Sequence, residues 1–276
     1  MGEYKIFNSK KQLMLIFRDM LASAIKSYTS GYSLFKKQLS VERSKSKFGF
    51  IWDLGEPFVL AIVFTLLYQF KAIDGLDSGL PYALFVISGI MLWQSIVDSI
   101  TAPLSNITRS KELLLNTHIM PESLMWSEII RSVYKSLYKY LVVLIFAIYF
   151  QQTTLFSAVL AFILMLITVS LFTSIGFMLA PFNSVSEDVS RVVQLILRPL
   201  LFLSGVLFSV DHIEAMAVFN EYNIFFIAID FFRSVFFNLT SFSLVQFLIF
   251  ILAFSLYFLV SWHVFRVSIK IIVDRG

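Results

Sequence analysis

Arg43-Ser-Lys-Ser-Lys-Phe-Gly-Phe-Ile-Trp-Asp-Leu-Gly-Glu-Pro57 runs directly into Phe58–Phe70, a stretch without a single charge. Arg43, Lys45 and Lys47 belong in water. Phe48, Phe50 and Trp52 are aromatics of the kind that settle at the headgroup level of a bilayer. Gly49 and Gly55 allow the backbone to turn, and Pro57 suits the first turn of a helix, where its missing N–H costs nothing. The segment reads as a chain passing from water, along a membrane surface, into lipid.

The whole chain supports that class. Of 276 residues, 58% are hydrophobic and 14% charged, against about 25% charged in soluble domains. The net charge of +4 is locally concentrated, which points to membrane topology and lipid contact, with no nucleic acid as partner. The absence of cysteine excludes disulfides, thiolate zinc sites and a thiol nucleophile. Leu13–Phe17 is too short for a cleavable signal and is ended by Arg18 and Asp19.

Outward from the opening stretch, residues 1–55 are expected to form a cytosolic or interfacial amphipathic region. Residues 1–50 hold ten Lys/Arg against Glu3, Asp19 and Glu42. Leu13, Ile16, Phe17, Leu21 and Ala24 recur at helical spacing. Gly31 is a candidate break, with a second helix over 32–46, and such a segment suits an anionic inner leaflet. Residues 56–265 are read as six spans, at about 56–73, 82–101, 123–150, 155–181, 190–210 and 243–265. A cytosolic tail, 266–276, follows. Polar turns separate the spans: Lys71, Asp74, Gly75, Asp77, Gly79 and Pro81; then Gln151–Thr154; then Asn183–Asp188. The fold class is therefore an all-α integral membrane protein. Placing both termini inside leaves only Lys71 and Arg233 among the cations outside, as the positive-inside rule requires. Ile224–Phe237 is apolar but too short to span, with Asp230 and Arg233 on one face, and is read as an outer re-entrant segment between spans five and six.

No GxxxxGK[ST], HExxH, GxSxG or GxGxxG motif occurs. His118, His212 and His263 are scattered, and His212 near Asp211 and Glu214 reads as a solvated turn. Two basic groupings remain. Glu128, Arg131, Lys135 and Lys139 share one stripe of span three by their spacings of three, four and four. Arg191 and Arg198 are seven apart, with Glu187 a turn before and Pro199 just after. Two readings stand for these cations: helix ends held by ion pairs, or a cationic access path for an anionic substrate lined by Arg131, Lys135, Lys139, Arg191, Arg198 and Trp52. Between Pro103 and Pro121, Leu104, Ile107, Leu114 and Leu115 share a helical face. Arg109 and Glu112 point elsewhere, and Lys111 falls on the apolar side. A short surface helix there is either a plain loop or a dock for a soluble partner.

The order of features resembles the membrane subunit of type-2 ABC exporters for polysaccharides. It is carried by the basic amphipathic start, Phe48-Gly49-Phe50-Ile51-Trp52 with Glu56-Pro57, and Ile119-Met120-Pro121. The resemblance is greatest to capsular-polysaccharide export permeases, on Arg198-Pro199 with Phe202–Phe208, including Gly205, and on Asp230-Phe231-Phe232-Arg233 with Phe236-Phe237. Asn223-Ile224 departs from the Asn-Pro often found there. The resemblance implies a homodimer with two copies of a cytosolic ABC ATPase, which would hold the ATP and Mg; no cofactor is expected on this chain, and it is not an enzyme by itself. It implies a bacterial inner-membrane location and a lipid-linked, acidic polysaccharide as cargo. Membrane lipids and periplasmic and outer-membrane export proteins would be further partners. Arg109, Lys111, Glu112 and the four leucine-face residues would couple to the ATPase. Within the same class, O-antigen, teichoic-acid-like polymers or small drugs are alternative cargoes. From another class, a membrane scaffold or enzyme of lipid-linked sugar metabolism is the alternative.

Overall fold

The computed structural model describes residues 9–45, 49–72, 80–116, 119–208, 214–239 and 244–275. Among them the chain is helical throughout: α1 (Ser9–Lys45), α2 (Gly49–Gln69), α3 (Tyr82–Leu104), α4 (Asn106–Arg109), α5 (Lys111–Asn116), α6 (Pro121–Tyr149), α7 (Leu155–Val185), α8 (Asp188–Leu203), α9 (Glu214–Tyr222), α10 (Ile224–Phe236) and α11 (Leu244–Arg275). Five of the described helices, α2, α3, α6, α7 and α11, are long and apolar enough to cross a membrane. The fifth expected span, 190–210, is instead the 16-residue α8 followed by a turn. At 1.5 Å per residue it covers roughly 24 Å, short of a hydrocarbon core of about 30 Å.

α3 is the axis. Of its most apolar window 78% is buried, against 11% for α2. Serines and a glycine let neighbours close on it: Ser88, Ser95 and Ser99 each return a hydroxyl to their own helix's carbonyls. Gly176 of α7 sits so near α3 that a β-carbon would lie 2.3 Å from the Ile100 carbonyl oxygen. This is the small-residue packing that membrane helices use. α7 and α11 run side by side in the same direction, with Phe172 5.1 Å from Phe254 and Phe177 5.1 Å from Phe265 between ring centres. A smaller core of Met20, Ile107, Leu114, Leu124, Phe177 and Phe265 ties α1, α4, α5, α6, α7 and α11 together at one end of the bundle.

Several local expectations are corrected. α1 continues through Gly31 without a break. The glycine serves contact: a β-carbon there would stand 2.4 Å from that of Trp126, while the Trp126 indole N–H donates to Ala24 O at 2.9 Å. Gly49 and Gly55 lie within helix α2, and Pro57 falls inside it rather than in its first turn. Pro181 likewise lies inside α7, which extends to Val185. A membrane helix tolerates such prolines because neighbours satisfy the freed carbonyls. Asn223, without a following proline, still caps α10, its side-chain oxygen accepting from the N–H groups of Phe225 and Phe226. Phe48, Asp74, Gly75, Asp77, Gly79, His118 and His212 lie outside the described residues.

Candidate functional site

The charged stripe on α6 is where the elements of the α4–α5 end meet. Glu122 in its first turn pairs with Arg266 of α11 at 3.2 Å. Glu128, fully buried, accepts a 2.6 Å hydrogen bond from the Asn106 amide of α4. Arg109 and Arg131 each stand 3.7 Å from its carboxylate. Arg131 pairs closely with Glu42 of α1. Lys135 meets Asp53 of α2 at 2.9 Å, and the Tyr138 hydroxyl donates to the same carboxylate at 2.8 Å. Lys139 meets Asp98 of α3 at 2.5 Å, with Gln94 donating to the other carboxylate oxygen. Five neighbouring elements are thus each tied to α6 by a charged or amide contact.

This geometry follows from the helix repeat. Steps of three and four residues keep Glu128, Arg131, Lys135 and Lys139 on one side of α6, and each neighbour presents one complementary group at the matching height. Burial makes the pairing necessary, since an isolated charge in an apolar interior is costly. The Glu128 cluster is incompletely bonded: Glu128 Oε2, Asn106 Oδ1 and Arg131 Nε and Nη1 have no hydrogen-bond partner among the described residues.

The remaining sequence candidates separate. Arg191 and Arg198 are exposed on α8, with Arg191 3.2 Å from Asp188. Pro199 beside them is also exposed, and Trp52 is exposed on α2. Leu104, Ile107 and Leu114 are buried, so they hold the α4–α5 segment in place rather than offering it a surface. Arg109 is exposed and braces the end of α3 by donating to Ala102 O and Ser105 Oγ. The side chains of Lys111, Glu112 and Leu115 lie outside the described residues. Glu56 is exposed and Pro121 opens α6 at its first position. No group of three or more metal-ligating side chains gathers among the described residues.

At the far end, Arg233 is buried among carbonyls. It donates to Gly205 O at 2.6 Å, to Val206 O and Phe85 O at 2.8 Å each, and to Ser88 Oγ at 3.4 Å, over the Phe85 ring. The Tyr82 hydroxyl donates to Leu207 O at 2.9 Å, and the Asn223 amide donates to Ser204 Oγ at 3.1 Å. The turn after α8 needs Gly205 for its left-handed conformation, φ 63°. Its carbonyls are satisfied by side chains of α3 and α10, as broken backbone at membrane depth requires. Sequence reading singled out Arg233 but missed its partners and the acids facing α6. A partial signal existed for the latter: acids are few in the three helices that flank the stripe, Asp19 and Glu42 in α1, Asp53 and Glu56 in α2 and Asp98 alone in α3.

Compared with known proteins, residues 30–237, more than half the chain, match the ABC-2 type transporter family. The chain belongs to that family. No curated protein matches it. Membership makes it an ABC-2 permease, a multi-pass membrane protein of a family that implies an ABC ATPase as partner. The cations of the α6 stripe are thus paired with carboxylates of the same chain, while Arg191 and Arg198 of α8 are exposed.

Proposed function

We propose that the chain is the channel-forming subunit of an ATP-driven exporter, working as a homodimer with two copies of a separate ATPase in a bacterial inner membrane. Its cargo on this reading is a lipid-linked, acidic polysaccharide of the capsular kind. The observation that carries the reading is the family match over residues 30–237; the capsular cargo rests on the motif resemblance and on the exposed Arg191 and Arg198.

A six-crossing topology with both ends inside is part of the proposal. α11 runs parallel to α7, and its Arg266 reaches Glu122 at the start of α6. On this reading the chain leaves α7 at the α4–α5 end, crosses once more, and starts α11 at the opposite end. α8 supports that crossing: its C-terminal turn meets Phe85 and Tyr82 at the start of α3 through Arg233 and Leu207. α9 and α10 support the re-entrant reading, since Asn223 between them returns to Ser204 while Phe236 O reaches Thr153 at the far end. The α4–α5 end, with Arg109 exposed, is then cytosolic and docks the ATPase, which holds the ATP and Mg.

The test is reconstitution of the permease with its ATPase in vesicles and measurement of ATP-dependent movement of a labelled lipid-linked acidic polysaccharide. Transport that needs both subunits is the expected result. Failure to bind the ATPase overturns the exporter assignment, and transport of a neutral polymer alone overturns the cargo.

A further inference from the structure

α11 is 32 residues long, roughly 48 Å, against a hydrocarbon core of about 30 Å. Its first charged residue is Arg266, roughly 33 Å along the helix from Leu244, so a span is complete before it. Beyond that point the chain was expected to be a tail, yet the helix continues to Arg275. This end of α11 is held. Trp262, Phe265 and Ile269, spaced three and four, turn one face into the small core that also holds Ile107 of α4 and Leu114 of α5. Arg266 meets Glu122 of α6 at 3.2 Å through Nε, and its Nη2 donates to Ser23 Oγ of α1 at 3.4 Å.

These contacts converge on the α4–α5 segment. Ile107 and Leu114 are its buried apolar anchors, one on each helix, and Glu122 stands in the first turn of α6, where the chain leaves it. Helices this short have no stability of their own, so their direction is set by what surrounds them. Apolar burial is non-directional and by itself does not fix an angle. The Arg266–Glu122 pair does. Glu122 is buried, and a buried ion pair adds little net stability over apolar groups of the same volume. What the planar guanidinium adds is orientation: bonded to α6 and α1 at once, it fixes α11 against both.

We infer that the C-terminal end of α11 is a built-in part of the ATPase dock, a clasp that sets the angle of α4–α5, with Arg266 as its positioning residue. The inference rests on the exporter reading and adds to it a second segment, more than a hundred residues further along the chain, on which ATPase engagement depends.

Two measurements test it, both on the full permease in vesicles with its ATPase subunit. In the parental chain, hydrogen exchange is followed before and after the ATPase subunit is added. Slowed exchange of the backbone amides of residues 262–271, as well as those of 104–116, is expected; slowing confined to 104–116 overturns the clasp. The second measurement uses the Glu122→Gln/Arg266→Gln double variant, which removes both charges and strands neither. It is expected to keep the parental thermal midpoint while the concentration of ATPase subunit needed for half-maximal capture rises several-fold. Arg266→Lys, which keeps the charge without the fork, is expected to fall between. A double variant with parental capture overturns Arg266 as a positioning residue, whether its midpoint is lowered or not, since the pair would then be a structural tie alone. A double variant too unstable to purify leaves the decision to the exchange measurement on the parental chain. Parental permease that captures no ATPase subunit fails the exporter reading, and the clasp with it.

Discussion

Lys139 lies eighteen residues beyond Pro121 in α6, roughly 27 Å along the helix, and is 1% exposed. Its ammonium is held at 2.5 Å by Asp98. Removing one partner of such a pair strands the other in a medium that cannot solvate it, at a cost of about 3 kcal/mol or more, whereas replacing both with apolar groups is often neutral. Lys139→Met and Asp98→Leu are each expected to lower the thermal unfolding midpoint of the purified permease, and the double variant to recover it. Transport separates the two meanings of the lysine. A double variant that is stable and exports normally makes the pair a structural tie; one that is stable but does not export makes the cation part of the cargo path. The stripe itself was legible from the spacing of Glu128, Arg131, Lys135 and Lys139. The partners were not, because Glu42, Asp53 and Asp98 lie far off in sequence and only the packing of α1, α2 and α3 on α6 brings them to the matching heights.

Among elements, α4 depends most on its surroundings. Four residues cannot sustain a helix alone, so α4 is placed by what holds it: Ile107 in the small core, and Asn106 on Glu128 at 2.6 Å. Of the leucine face read between Pro103 and Pro121, Leu104, Ile107 and Leu114 are turned inward, and Ser110 divides the segment into α4 and α5. Periodicity cannot tell a face that docks a partner from one that packs on its own chain. Two substitutions then behave differently. Ile107→Asp buries a carboxylate in an apolar cluster and is expected to reduce the amount of permease in the membrane. Asn106→Ala leaves that core intact and frees the turn from Glu128. It is expected to lower abundance less than Ile107→Asp does, while capturing several-fold less ATPase subunit in a pull-down at matched permease level. Equal capture by parent and Asn106→Ala counts against α4 as the docking element.

At the scale of the whole molecule, hydropathy locates α2, α3, α6, α7 and α11, although α2 begins seven residues before its expected span and α11 continues ten residues beyond its own, through the expected tail. It could not resolve residues 188–236, where three short helices replace one span and its return. Arg198, Pro199 and Gly205 interrupt that apolar run, and the interruptions are compensated only in three dimensions, by Arg233, Tyr82 and Asn223 on the carbonyls and hydroxyl of residues 204–207. Whether α8 completes a crossing decides on which side the C-terminus lies, and the chain has no cysteine to confuse a labelling test. Single cysteines at Gln152, in the turn joining α6 to α7, at Glu187, exposed just before α8, and appended after Gly276 report the two ends of the bundle. With a membrane-impermeant maleimide on intact spheroplasts, Gln152→Cys is expected to label at once. Glu187→Cys and the appended cysteine are expected to label only after the membrane is permeabilised. Immediate labelling of the C-terminal cysteine would mean five crossings. It would also contradict the contact of Arg266 with Glu122, since α11 could not then end beside the start of α6. Labelling of Glu187→Cys but not Gln152→Cys from outside would invert the molecule, putting α4 and its docking turn on the side without ATP.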